Sequence, residues 1–373
     1  MNSVRVIGMP ATDADTACAE ATARIYAHLQ DSFQHLRSNG ISKVALDEFE
    51  SFLREPGTLS RPSLIVRCRI SNGDFKMRVV VDKRISQGRL STCFAPFVRR
   101  VLSRCRGRSE FFVLVSDNLY VSEGRRPECL EYFKRIPFLR CDRSEVDSLT
   151  LNCVLLPDYF VQDRRYAAEW KAIEEAVREH PFEQRRAVIK WRGSLRSWQY
   201  PNLENYRRFP RYRLLKLSTQ YPDIVDARLT NHGFRDNASA AGLSERLKQE
   251  FGSPVEGLPA EAFVAYKYLV SVDGVGAAWK RVATILASGS VLLLHHRWTQ
   301  FFNPALKPWV HYVPLKYDLS DLVERYEWLE AHPAQAQAVA ENGLRVARAV
   351  LHPAALETYF AAVVNQCGAL HTG

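Results

Sequence analysis

"YKYLVSVDGVGAAWKRVATILASGSVLLLHH", residues 266–296, decides the fold. KYLVSV is a short apolar run closed by Asp273-Gly274, AAWKRVATILAS (277–288) has helical spacing up to Gly289, and SVLLLHH (290–296) is a second apolar run. Strand, glycine turn, helix and strand make a βαβ unit, and its two strands must be parallel because a helix carries the chain back between them. Upstream, AVIKWRGS (187–194) reads as a further strand running into a Gly-Ser turn. This half is therefore expected to be a Rossmann-like parallel sheet. From Asp318 onward helices dominate, with Asp318 and Asp321 spaced like an N-cap and an N3 acid and a last helix over 354–366.

The first half shows the same alternation less cleanly. Residues 15–37 place Ile25, Leu29, Phe33 and Leu36 at helical spacing, with Asp13 or Asp15 as N-cap. SLIVRCRI and FKMRVVVDKRI flank Ser71-Asn72-Gly73-Asp74, which predicts a β-hairpin. Phe97, Val98, Val101, Leu102 and Cys105 share one face of a helix that Gly107 ends. EFFVLVSD (110–117) reads as a buried parallel strand that delivers Asp117 to its carboxyl end, and NCVLLPDYF (152–160) as a short strand stopped by Pro157. The character of the chain changes at PFEQRRA (181–187), so the expected domains are 1–184, 185–350 and a terminal helix over 351–373.

At 373 residues, 46% hydrophobic and 25% charged, the composition is that of a globular protein large enough for two cores. No apolar run approaches the ~18 residues of a membrane span, and MNSVRVIGMPATDADTACAE lacks the layout of a secretory signal, so the chain is expected to stay where it is made. Its eight cysteines include no C-x-x-C and its ten histidines no H-x-x-H, which predicts reduced thiols and no metal site. The only D-x-D, Asp13-Ala14-Asp15, is read as a cap rather than a cation site. Net charge is +10, concentrated in FVRRVLSRCRGR (97–108) and GRRPECLEYFKRIPFLRCDR (124–143). Such a surplus attracts nucleic acid, acidic lipid or a phosphorylated small molecule, or it is a solvated helix face.

Three features of the second half converge on a phosphate. Trp191-Arg192-Gly193-Ser194-Leu195-Arg196 sets two guanidiniums beside a turn that follows a strand, and Asp273-Gly274 is read as opening a helix that carries Lys280 and Arg281. Glycine admits a ligand to the backbone, a helix N-terminus offers free N–H groups, and arginine grips phosphate oxygens two at a time. Ser290 is placed on the same sheet edge as Gly274 by the βαβ reading. Neither a P-loop nor a dinucleotide fingerprint is present.

WRGSLR, YKYLVSVDGVGAAWKRVATILASGSVLLL, RWTQFFNPALKPWVHYVPLKYDLSDL and AENGLRVARAVL occur in an order and spacing that resembles glycosyltransferase family 90 over 187–350. That family includes Rumi-type protein O-glucosyltransferases, capsule-associated xylosyltransferases and lipopolysaccharide-modifying enzymes. The resemblance implies an α/β chain of GT-B type, two Rossmann-like domains facing a cleft, with the final helix crossing back to the first. It also implies metal-independent, inverting transfer from a UDP-sugar, which is a co-substrate, so that no cofactor is needed. Carried over residue by residue, it makes Asp117 the base, with Asp158 the alternative, and Asp158 and Tyr159 the acceptor side. Arg192, Gly193, Ser194, Arg196, Gly274, Arg281 and Ser290 fall to the nucleotide-sugar. A glutamate of many relatives is Gln300 here, which weakens any grip on ribose.

The proline- and aromatic-rich stretch 301–322 is then a stiff connection beyond the second strand, over the nucleotide pocket, with His311 and Tyr312 read first as packing groups. The expected acceptor is a lipopolysaccharide core or capsular glycan, met by a cytoplasmic enzyme with peripheral contact at an anionic inner-membrane face and no nucleic-acid partner. The competing reading is a non-catalytic basic module that binds nucleic acid or anionic polysaccharide on a transferase-like scaffold.

Overall fold

The computed structural model describes residues 14–38, 40–144, 147–197, 199–233 and 240–372. Asp13 of the expected cap lies outside them. The chain divides into two compact units, one of 23–167, 297–304 and 352–373, the other of 1–22, 168–296 and 305–351. The change of character at 181–187 thus falls within the second.

The first unit is built on a mixed sheet. Its strands are β1 (Ile65–Ser71), β2 (Asp74–Val81), β3 (Arg108–Leu114), β4 (Phe138–Arg140) and, after the short β5 (Arg143–Ser144), β6 (Val154–Leu155), in the order β2-β1-β3-β4-β6. The hairpin forms with a tighter turn than four residues, because Ser71 pairs with Asp74 and only Asn72 (φ 51°) and Gly73 (φ 78°) lie between. Both turn residues have positive φ, the condition that matches the twist of the flanking strands. β3 is buried as expected but not wholly parallel: it runs antiparallel to β1 and parallel to β4. An apolar run reports burial on both faces and carries no information on the direction of its neighbours.

The helix Lys43–Arg54 begins where Ser42 accepts a bond from the Ala45 amide, and it buries Leu46, Phe49, Phe52 and Leu53. Phe49 packs edge-on against Phe112 of β3 at 4.9 Å and Phe138 of β4 at 5.9 Å, which ties helix to sheet. On this unit too lies the terminal helix Pro353–Ala369, whose Phe360 meets Phe97 edge-on at 5.3 Å. Its Glu357 takes ion pairs from Arg100 and Arg104, while Arg125 pairs with Glu55 and Glu128, Arg126 with Asp147, Arg135 with Glu48 and Arg140 with Asp142. Most of both basic stretches is thus neutralised within the unit. Glu48, Glu55, Asp147 and Glu357 come from outside the two stretches, so the local charge surplus overstated the surface potential.

In the second unit β7 (Arg186–Gly193), β8 (Val225–Leu229), β9 (Tyr266–Val272), β10 (Val291–His295) and, beyond β11 (Trp298–Thr299), β12 (Val313–Pro314) form a five-stranded sheet ordered β12-β10-β9-β7-β8. Every pairing in it is parallel, as the βαβ reading requires. β11 belongs to the other unit and pairs with β5, so the 301–322 connection is shared between units at residue 304. Phe301 packs on Tyr359 at 4.5 Å in the first unit. Trp309 meets Trp328 at 5.2 Å in the second, and His311 Nδ1 accepts from the Lys307 amide.

Two helix starts differ from expectation. The helix after β9 is Arg281–Ala287, and Asp273-Gly274 ends a strand rather than opening a helix. Trp279 at φ 51° sits in the intervening turn, and a bulky residue there is incompatible with a helix. Asp321 is the residue before the helix Leu322–Ala331, where it pairs with Arg325, while Asp318 accepts from the Ser320 amide in the preceding turn.

Candidate functional site

Strand order locates the site before any side chain is considered. From β7 the chain moves to β8 on one side and then returns to β9 on the other, so the carboxyl ends of β7 and β9 flank the switch in winding direction. Loops diverge there and leave a crevice, which is where open parallel sheets bind ligands. Gly193-Ser194 and Asp273-Gly274 follow these two strand ends.

Arg211, in the helix Pro210–Gln220, spans the crevice. It donates to Ser194 O at 3.0 Å and to Val272 O at 2.9 and 3.2 Å, and its guanidinium lies 5.9 Å from the Trp191 ring centre. Arg281 approaches the same ring at 5.5 Å and donates to Arg192 O at 2.7 Å. Both glycines are there for clearance: a Cβ on Gly193 would fall 2.6 Å from Trp191 and 3.1 Å from Arg281, and one on Gly274 2.8 Å from Arg211. Two cations therefore share one aromatic platform with backbone oxygens as their hydrogen-bond partners.

Among the described residues neither guanidinium has a carboxylate ion-pair partner. Burial pushes Arg281 down to about 10. Arg211 is pushed down to about 9 by burial and then by the neighbouring charges of Arg281 and Arg196, with Asp273 opposing. The Trp191 indole N–H is also buried without an acceptor among the described residues. Folding has left positive charge and an unused donor at the switch point, an arrangement that a bound anion relieves.

The residues expected at this site separate into two groups. Gly193, Ser194, Gly274 and Arg281 come together, and Arg196 stands exposed at the rim with its Nε bonded to Gly233 O. Arg192 does not join them. Adjacent strand residues point to opposite faces, and Arg192 is paired in a fork with Asp226 of β8 at 2.8 and 3.1 Å, beside Lys190. Ser290 is at the other edge of the sheet, where it donates to Tyr266 O and accepts from Arg185. The length of β9 separates it from Gly274 by roughly 20 Å. Arg211 was missed, although it precedes Leu214 and Leu215 by helical spacing and shares their buried face.

In the mixed-sheet unit Asp117 follows β3 as expected, partly exposed, with Oδ1 held by Arg89 Nη1 at 2.6 Å. Asp158 is buried and caps the short helix Tyr159–Gln162, its Oδ1 accepting from the amides of Phe160 and Val161. Gln300 Nε2 lies 3.4 Å from its Oδ2. Tyr159 is fully buried and donates to Leu114 O, and burial raises its phenol well above the ordinary value. Asp158 and Tyr159 therefore act as packing and capping groups in this structure, while Asp117 keeps a carboxylate oxygen for other use. Among the described residues no helix is long and apolar enough to cross a membrane, and no group of three or more His, Cys, Asp or Glu side chains is gathered as a metal-ligand set.

The sequence model described as Glycosyl transferase family 90 matches residues 157–372, more than half of the chain. Human "Protein O-glucosyltransferase 3" is 33% identical over 156 residues, 42% of this chain and 29% of that protein. Rat "Protein O-glucosyltransferase 1" is 31% identical over 187 residues, 50% of this chain and 40% of that protein. "Uncharacterized protein 035R" of Invertebrate iridescent virus 3 is 29% identical over 241 residues, 62% of this chain and 21% of that protein. The aligned stretch spans less than half the length of each.

Proposed function

The chain belongs to glycosyltransferase family 90, and from that premise we propose that it moves a sugar from a UDP-sugar to a hydroxyl, with inversion and without a metal ion. The observation that carries this reading is the pair of buried Arg211 and half-buried Arg281 at the switch point, neither with a carboxylate ion-pair partner among the described residues. Departure of a diphosphate concentrates negative charge on its bridging oxygen, and prearranged guanidiniums stabilise that charge most strongly where water is excluded. They supply what a divalent cation supplies elsewhere. Arg196 at the rim adds long-range attraction for the donor.

Acceptor activation falls to Asp117. Its carboxylate takes the proton as the acceptor oxygen bonds the anomeric carbon and the bond to the diphosphate breaks. The GT-B arrangement is part of the same reading. For the acceptor we take a protein hydroxyl and for the sugar glucose, from the names of the relatives. Contact with an anionic membrane and a nucleic-acid-binding module drew on the two basic stretches, whose arginines are largely paired.

The test is a thermal-shift series of nucleoside diphosphates and UDP-sugars in EDTA, followed by turnover of the best donor with a folded protein acceptor. A ligand at 100 times its Kd adds about 2.7 kcal/mol to the folded state. Stabilisation by UDP and UDP-glucose that survives EDTA is expected. Absence of any diphosphate response, or a response that requires added metal, refutes the proposal.

A further inference from the structure

Asp117 is gripped at one oxygen only. Arg89 Nη1 reaches Oδ1 at 2.6 Å, and Oδ2 has no hydrogen-bond donor among the described residues. Both side chains remain partly exposed, at 21% and 26%, so the pair is neither a buried structural bridge nor a loose surface contact. Arg89 begins a π-helical turn, Arg89–Phe94, a rare geometry that recurs at functional sites. Its guanidinium lies 5.8 Å from the ring centre of Phe160, which limits its swing, and Phe160 is itself 37% exposed. Burial alone would lower the Arg89 guanidinium, yet the carboxylate beside it raises it.

Resting on the reading of Asp117 as the base, we propose that Arg89 is a positioning residue of the transfer reaction, which holds Oδ1 and leaves Oδ2 as the single oxygen presented to the acceptor hydroxyl. A carboxylate on a flexible side chain otherwise rotates between two equivalent oxygens and several rotamers, and a base displaced by 1 Å can cost about 100-fold in rate. The short charge-assisted contact at one oxygen restrains that rotation and leaves the second oxygen open. Arg89 takes no proton and touches no reacting atom.

The experiment measures kcat and the KM for UDP-glucose in Arg89→Ala and Arg89→Lys, with and without added guanidinium ion below denaturing concentration. Arg89→Ala is expected to lower kcat by about 10- to 100-fold, with donor KM within about twofold. Arg89→Lys, or guanidinium ion added to Arg89→Ala, should restore part of the rate. An unchanged kcat, a loss expressed in donor KM, or a loss that follows the melting temperatures of the two variants and is not rescued overturns the proposal. Asp117→Asn separates this from the assignment of the base. Should Asp117→Asn retain turnover, the base has been misassigned. Should it be inactive while Arg89→Ala is unimpaired, only the role of Arg89 fails. In the Asp117→Asn background, Arg89→Ala should cause no further loss.

Discussion

Replacing Arg281 by methionine should raise the melting temperature of the ligand-free protein and weaken its hold on UDP, two shifts of opposite sign from one side chain. An arginine lowered from 12.5 to about 10 is a cation that folding disfavours, by roughly 3 kcal/mol at 1.36 kcal/mol per pH unit. The guanidinium is half-buried and donates to Arg192 O; residual solvation and that lost bond leave a net gain of about 1–2 kcal/mol on substitution. For a unit of this size that is roughly 3–6 °C. The sign follows from linkage. A cation whose folded value is depressed destabilises fully at every pH below about 10, and the penalty lifts only as the pH climbs from about 10 towards 12.5. Scanning fluorimetry at pH 7.5 therefore sees all of it. On the proposed placement of the diphosphate, the same substitution should remove a charge-assisted bond worth about 2–3 kcal/mol, or roughly a 30- to 150-fold rise in the Kd for UDP by calorimetry. A lower melting temperature in the absence of ligand would refute the account of Arg281 as a disfavoured, prearranged cation. An unchanged Kd would show that the diphosphate does not sit there.

Asp117→Asn should cut turnover by about 100- to 10,000-fold with the fold intact, whereas Asp158→Ala should cost about 1 kcal/mol of stability through the lost cap; urea melts beside rate measurements separate the two, and the opposite pattern would exchange their roles. Gly274→Ala should destabilise by about 1–3 kcal/mol and weaken UDP, because the new Cβ lies 2.8 Å from a guanidinium anchored to Ser194 and Val272; an unmoved urea midpoint would contradict that packing. At Asp226 burial would raise the carboxyl, but the bonds from Arg192 and Lys190 outweigh it and hold it at about 2. Its stabilisation, about 2 kcal/mol, is complete above the ordinary 3.8 and lost as the pH falls from there towards 2, so Asp226→Asn should flatten that part of the acid-unfolding curve. Ser290→Ala should cost about 1 kcal/mol through its bond to Tyr266 O and leave UDP affinity unchanged, and a change in affinity would place Ser290 at the wrong edge.

Period and punctuation were legible before folding. Alternating or continuous apolar runs bounded by Gly73, Gly107 and Gly289 located strands and helices, and the strand–helix–strand order over 266–296 was enough to require parallel pairing, because those constraints act within a few residues of chain. The same local logic placed Asp117 at a strand end, and the motifs around WRGS and DGVGAAWKR carried the family. What a charged side chain does once there is settled by whatever arrives from elsewhere. Arg192 was spent on Asp226, thirty-four residues away, because strand pairing brought the carboxylate to its face. The basic stretches met acids from Glu48, Glu55 and Glu357. Arg211 reached the switch point only through the packing of its helix on the sheet, and Ser290 was carried to the far edge by the length of a strand. Covalent neighbours dictate backbone conformation through short-range sterics and hydrophobic period; the partners of long, charged side chains depend on through-space distances that only the assembled sheet defines.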